Sequence, residues 1–252
     1  MYLVDAAPKI SRRDFYMGLI SILSGALNGN FNPISAFAYI LSTAVVIFLV
    51  LPFHEFAHAF SAHKLGDNTA KYMGRMSLNP FRHIDWVGAA LIMAVGFGWA
   101  KPVPVNARLF KNPKKDMAIV ALAGPLSNLL AAFVSLFLFN LVNALLGLAV
   151  TAGSEILLFI LAFLKYMFRF LAQINISLAV FNLIPIPPLD GSRLLTALLP
   201  DRIYYKIMAY EQYIMLALIL LMITGVLTVP LSYLSNLILT GFNAVASLPF
   251  GG

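Results

Sequence analysis

The sequence predicts an all-α polytopic membrane protein, with about five to six transmembrane helices and a short or re-entrant segment near 86–99. Three observations predict it. Of 252 residues, 61% are hydrophobic and only 11% charged, against roughly 25% charged in a soluble domain, and the mean hydropathy is +0.88. The apolar residues are gathered into successive runs close to the roughly 20 residues that a bilayer-crossing helix needs. The 17 Lys and Arg residues fall in a few short segments between those runs, where they set orientation by the positive-inside rule. The net charge of +7 therefore reads as topology control. Nucleic-acid binding is not expected, because no soluble basic domain carries it. With no cysteine, any metal must be held by His and carboxylate.

Residues 1–14 are polar and basic, a cytoplasmic or interfacial arm. Lys9, Arg12 and Arg13 precede a short apolar stretch, but no small-residue cleavage site follows, so a cleaved signal is not expected. The stretch 15–27 is apolar but short of span length, a thin first span or an interfacial helix. A turn at 28–33 leads into 34–62, the first full span, which Pro52 is expected to kink. Residues 63–85 form a polar loop with Lys64, Lys71, Arg75 and Arg82. The stretch 86–99 is short and apolar with basic flanks. Positive-inside places both flanks on one face, so a short, tilted or re-entrant segment fits better than a clean span.

A proline-bearing stretch, 101–106, reads as a rigid loop or an extended edge able to pair with an unwound strand. After it, 117–148 is a long span. The loop 151–155 has no basic residue and belongs on the far side. From there 156–168 and 170–186 return to the basic side, with Lys165 and Arg169 expected to snorkel to the outer headgroups. A polar stretch, 192–211, precedes a span at 213–229 and a last apolar segment at 232–248. There is no internal repeat or long linker. A single domain over 1–252 is expected, with a catalytic core of about 34–200.

The first full span ends in His54-Glu55-Phe56-Ala57-His58. On a helix, residues four apart share a face, so His54 and His58 can hold one metal ion, and Glu55 lies beside that face, placed to work on an activated water. Ionisable groups at membrane depth are costly and mark function. The span at 34–62 runs toward the basic side, as does 170–186, whereas 117–148 starts from it. His54 and His58, Gly124 to Asn128, and Asn182 to Asp190 thus fall within about 15 Å of one membrane face.

Zinc wants a third protein ligand. Lys64 stands where a metzincin would carry its third histidine, so that class is excluded. His63 and His83 are the remaining histidines. Asp67 and Asp85 sit in the polar loop, where solvated surface roles are expected. Glu155 is on the wrong face. Asp190 is at the right depth, after a helix broken by Pro185, Pro187 and Pro188, and is either the third ligand or a helix-end residue before Gly191. Asn182 is either an inter-helix hydrogen-bonding residue or a donor to a developing oxyanion. Gly124 and Ser127 read as packing residues, and Asn128 as a possible member of a polar network.

Together, H-E-x-x-H in one transmembrane helix, Ala-Gly-Pro-Leu-Ser-Asn at 123–128, and N-x-x-P-x-x-P-L-D-G at 182–191 resemble the site-2 protease family of intramembrane zinc metalloproteases. Ser77-Leu78-Asn79-Pro80 and the segment 98–106 are similar to its compact bacterial branch, which has no PDZ or CBS domain. The resemblance covers roughly 45–200. It implies that His54, His58 and Asp190 ligate one Zn2+, that Glu55 activates water, and that Asn182 helps hold the tetrahedral intermediate. It also implies transmembrane proteins as substrates and the bilayer as the working medium. The expected location is the bacterial inner membrane, with the active site toward the cytoplasm. The alternative from another class is a membrane metal or ion transporter using the same His and Asp groups.

Overall fold

The structure is a computed structural model that describes residues 31–95 and 98–251, with 22 and 27–29. The arm at 1–14 and nearly all of the expected segment at 15–27 lie outside the described residues. Among the described residues the chain is all-helical, without a strand.

Helix α1 (Pro33–Val45) starts where Asn32 accepts a hydrogen bond from the Ser35 amide at 3.1 Å, which satisfies an amide that the helix itself cannot. It runs through a π-helical turn, Val46–Val50, into α2 (Leu51–Lys64). The Leu51 amide donates to the Val46 carbonyl, one residue further back than in an α-helix. Pro52 is the cause we assign. It has no N–H for the carbonyl of Phe48, and its ring crowds that carbonyl, so the ladder widens just before it. The kink expected at Pro52 is therefore a wide turn within one continuous span, Pro33–Lys64.

A short helix, α3 (Thr69–Tyr72), and a 3-10 turn, Pro80–Arg82, fill the polar loop. Next comes α4 (Trp86–Val95), begun by Asp85, whose Oδ1 accepts the amides of Val87 and Gly88 at 3.0 and 2.9 Å. Its 10 residues reach about 15 Å, half of a hydrocarbon core. Beyond it, the Lys101 amide donates to the His83 carbonyl at 2.7 Å. The chain thus leaves beside where it entered, as a re-entrant segment must.

The longest helix, α5 (Pro113–Ala152), ends at Gly153, whose φ of +67° closes the turn. Ser154 caps α6 (Glu155–Asn182), which returns alongside α5. Four more helices complete the fold: α7 (Gly191–Leu198), α8 (Asp201–Met208), α9 (Glu211–Ile223) and α10 (Thr228–Ser247).

The expected count of five to six spans is not confirmed among the described residues. Among the described residues three helices are long and apolar enough to cross a membrane, Pro33–Lys64, Pro113–Thr151 and Val229–Phe250. A fourth exists if Arg202–Met208 and Glu211–Met222, bent by 61°, act as one. The two segments expected at 156–168 and 170–186 are one helix, α6. This helix is the hub of the packing. Ala172, Ile176 and Val180 pack with Ala132 and Leu136 of α5, Leu218 of α9 and Leu239 of α10. Leu171 and Leu178 meet Val46, Val50 and Ile92 on another side. The alanines let the backbones approach closely. Lys165 holds its ammonium 5.8 Å from the centre of the Phe139 ring on α5. Outward-facing Phe37, Leu49, Leu130 and Leu148 are exposed, an apolar surface suited to lipid.

One polar bond ties α10 to α5: Asn140 donates to Asn243 Oδ1 at 3.0 Å and to the Leu136 carbonyl at 2.9 Å. A double-mutant cycle of Asn140→Ala and Asn243→Ala, read by unfolding in detergent, is expected to give a favourable coupling of about 0.6 kcal/mol. Additive effects would assign α10 docking to apolar packing alone.

Candidate metal centre

The centre is assembled from α2, α5 and the turn that starts α7. On α2, His54 and His58 point inward, both about nineteen-twentieths buried, with their Nε2 atoms 3.1 Å apart. Their helical spacing fixes this local half of the site. The other half arrives through the turn after α6. Leu183 closes that helix by donating to the Ala179 carbonyl. The chain then passes through Pro185, Pro187 and Pro188, with a cis bond between the last two, and folds back. A Cβ on Gly191 would overlap the carbonyls of Leu183 and Ile184, so only glycine lets the start of α7 sit against the end of α6. This return carries Asp190 to the histidines, its Oδ2 at 3.2 Å from His54 Nε2 and 3.1 Å from His58 Nε2.

The residues fit a zinc ion. The ligand atoms of His54, His58 and Asp190 all lie within 4.8 Å of one another, and the nearest pairs stand at 3.1 to 3.2 Å. Tetrahedral ligands at about 2.0–2.1 Å from zinc stand about 3.3 Å apart, so the three atoms already have that spacing. The His58 Nδ1–H donates to the Val120 carbonyl at 2.7 Å, which leaves the Nε2 lone pair facing the other two donors. Opposite them lies Gly124 of α5. A Cβ there would overlap the Nε2 atoms of both histidines. The space next to the donors exists because residue 124 has no side chain.

Glu55 is buried beside the histidines, and its Oε2 accepts the Val103 amide at 2.8 Å. Val103 itself is buried and packs on Ala59 and Ala70. Pro102 and Pro104 flank it and have no N–H, so the Val103 amide is the one donor in that stretch. Asn182 is the last residue of α6 and half-buried. The structure does not join its side chain to His54, His58 or Asp190 by a hydrogen bond.

Other candidates stay apart from the centre. His63 Nδ1 bonds Asn68 at 2.6 Å. His83 is fully buried on the Ser77 carbonyl, and burial pushes its imidazole down, toward the neutral form. Asp85 starts α4. Glu155 opens α6 at the far end. Ser127 bonds back to the Gly124 carbonyl at 2.7 Å, and Asn128 is fully buried with neither amide atom partnered.

Asp67 corrects an expectation. It is not a solvated surface group but fully buried, accepting the Thr69 amide at 2.8 Å and the Asn106 amide at 2.7 Å. It ties the polar loop to the segment that reaches Glu55. Sequence reading also missed Gly124 as the wall of the centre, because a glycine's reason for being small lies in what sits opposite it. The Val103 and Val120 backbone groups carry no residue-type signal at all.

Comparison with known proteins places the centre in context. Residues 42–223 match peptidase family M50. The chain is 41% identical over 192 residues to a Bacillus subtilis (strain 168) protein named "Putative zinc metalloprotease YwhC", covering 76% of this chain and 83% of that one. It is 29% identical over 179 residues to the Mycolicibacterium smegmatis protein named for the same activity, Rip2, covering 69% and 63% of the two chains. A similarly named Methanocaldococcus jannaschii protein, MJ0611, is 28% identical over 192 residues, covering 74% and 85%. No solved structure matches.

Gly124→Ala is expected to lower zinc affinity by about tenfold or more, because the methyl group displaces both imidazoles. Zinc per chain after dialysis against a competing chelator is the measurement. Retention equal to wild type would show that the cradle opens freely.

Proposed function

The chain belongs to peptidase family M50, and on that premise we propose that this membrane zinc metallopeptidase is an intramembrane endopeptidase, hydrolysing peptide bonds in or near transmembrane segments of other membrane proteins. The observation that carries the reading is the convergence of His54, His58 and Asp190 beside Glu55, within a helix bundle whose outer surface is apolar. We assign His54, His58 and Asp190 as the ligands and Glu55 as the general base. The transporter alternative finds no support in the family or in the named relatives.

When bound, zinc supplies Lewis acidity, polarising a carbonyl and acidifying a water. The protein's own residues then act as follows. Asp190 and the two imidazoles hold the ion without thiolates. Val103 N–H holds Glu55 Oε2, which leaves Oε1 to take a proton from the attacking water. The water oxygen bonds to the scissile carbon, the C–N bond breaks, and Glu55 returns the proton to the departing amine nitrogen. Asn182, at the end of α6, is the side chain we assign as a further donor to the oxyanion.

A helical substrate hides its scissile carbonyl in its own hydrogen-bond ladder, so it must unwind locally before cleavage. Substrates are therefore transmembrane helices with weak stretches near the membrane face, and nucleic acid has no part. By the positive-inside rule the basic segments support a centre toward the cytoplasmic side, and we propose a bacterial inner membrane as its location. Regulated release of membrane-anchored proteins is the process this chemistry serves.

In proteoliposomes, wild type is expected to cut a single-span reporter, and Glu55→Gln to lose about 100-fold or more of that rate with its zinc retained. Equal cleavage by a zinc-loaded Glu55→Gln protein would remove the proposed base. In the same assay, a Gly-Pro pair placed near the reporter's scissile bond is expected to raise the rate. An unchanged or lower rate would argue against local unwinding as a requirement.

A further inference from the structure

We propose that Arg75 is a positioning residue for the catalytic base, acting through the backbone of 101–103; the inference rests on Glu55 being that base. One terminal nitrogen of Arg75 donates to the Lys101 carbonyl at 2.8 Å and to the Pro102 carbonyl at 3.1 Å. The next amide along, Val103 N–H, is the one that holds Glu55 Oε2 at 2.8 Å. The guanidinium thus grips the two peptide units that lead directly into the donor.

The surroundings make this grip decisive. Proline at 102 and 104 removes the amides on both sides, so this stretch cannot be held by a regular ladder and depends on individual anchors. Two such anchors lie at its ends, Lys101 N–H on the His83 carbonyl at 2.7 Å and Asn106 N–H on Asp67 Oδ2 at 2.7 Å. Between them Arg75 supplies the carbonyl-side anchor, and the Val103 side chain is clamped against Ala59 and Ala70. Arg75 is itself fixed in place, because its own amide donates to the Ala70 carbonyl at 2.7 Å. A terminal guanidinium nitrogen carries two N–H groups held in a fixed plane, one for each carbonyl, whereas an ammonium's donors rotate on a flexible stem. A misplaced base costs rate without costing substrate contact, so the arrangement makes a kinetic prediction that simple loop stabilisation does not.

Arg75→Ala is expected to lower kcat by about 10- to 100-fold, with KM within about twofold of wild type and zinc per chain unchanged. Arg75→Lys is expected to recover part of the loss. Arg82→Ala serves as the control, since Arg82 braces the same loop through the Gly74 carbonyl and makes no hydrogen bond to 101–103. It is expected to keep the wild-type kcat. Independently of turnover, hydrogen exchange at the Val103 amide is expected to become about tenfold faster or more in Arg75→Ala. Melting temperatures of all variants separate misfolding from mispositioning.

The inference is overturned if Arg75→Ala keeps its kcat, if KM alone rises, or if Arg82→Ala loses as much rate. It is also overturned if the rate loss only tracks lost zinc or lost folded protein. Should wild type cut no membrane reporter, the proteolytic reading fails instead. The exchange experiment then decides the brace alone: unchanged Val103 exchange overturns it and faster exchange upholds it.

Discussion

A carboxylate largely withdrawn from water among helices is stable only where something offsets its lost hydration, and in this protein that constraint falls on the half-buried Asp190. Its oxygen meets two imidazole nitrogens at 3.1 to 3.2 Å, and a divalent ion held by the three donors would complete the compensation. The rest of the architecture follows from having to bring that group home. The turn after α6 doubles back, glycine is required at 191 to let it, and glycine is required at 124 to leave room for what the three donors surround. Replace either glycine and the polar groups remain, but in a volume that no longer holds them together.

The helices divide the labour accordingly. α6, buried along its second half by alanines and branched apolar residues, is a rigid post between α1–α2 on one side and α5, α9 and α10 on the other. α2 and α5 contribute the histidines and the wall. The widened turn before Pro52 lets a helix with a missing backbone donor continue unbroken to His54 and His58. Around this frame the polar loop and the re-entrant segment form a second layer, held by the buried Asp67, by Arg75 and by the pairing of Lys101 with His83. That layer ends on the Val103 amide, so the carboxylate of Glu55 is oriented by residues far from it in sequence.

Much of the fold was legible beforehand because bilayer length, apolar runs and basic flanks are one-dimensional signals. The stretch expected to be short, 86–99, carries a helix of only 10 residues for that reason. The two segments expected at 156–168 and 170–186 are one helix, α6, because basic residues inside an apolar run read as a break between spans. Lys165 shows the same limit. A cation in an apolar run reads as a snorkelling residue, and nothing in that run announces the ring of Phe139 at 5.8 Å from its ammonium. Asp67 was misread because a polar loop implies water, and nothing local announces that two amides bury a carboxylate.

The sequence by itself determined which groups could do chemistry. H-E-x-x-H at helical spacing, the absence of cysteine and the single well-placed aspartate left few other ways to hold zinc, because ligand type and helical periodicity are properties of the chain alone. Tertiary structure decided the rest. It set the distances among His54, His58 and Asp190, the emptiness in front of Gly124, and the hold of Val103 on Glu55. These depend on which backbones come near one another, and a close approach between α2, α5 and the turn before α7 is written in no single stretch of residues.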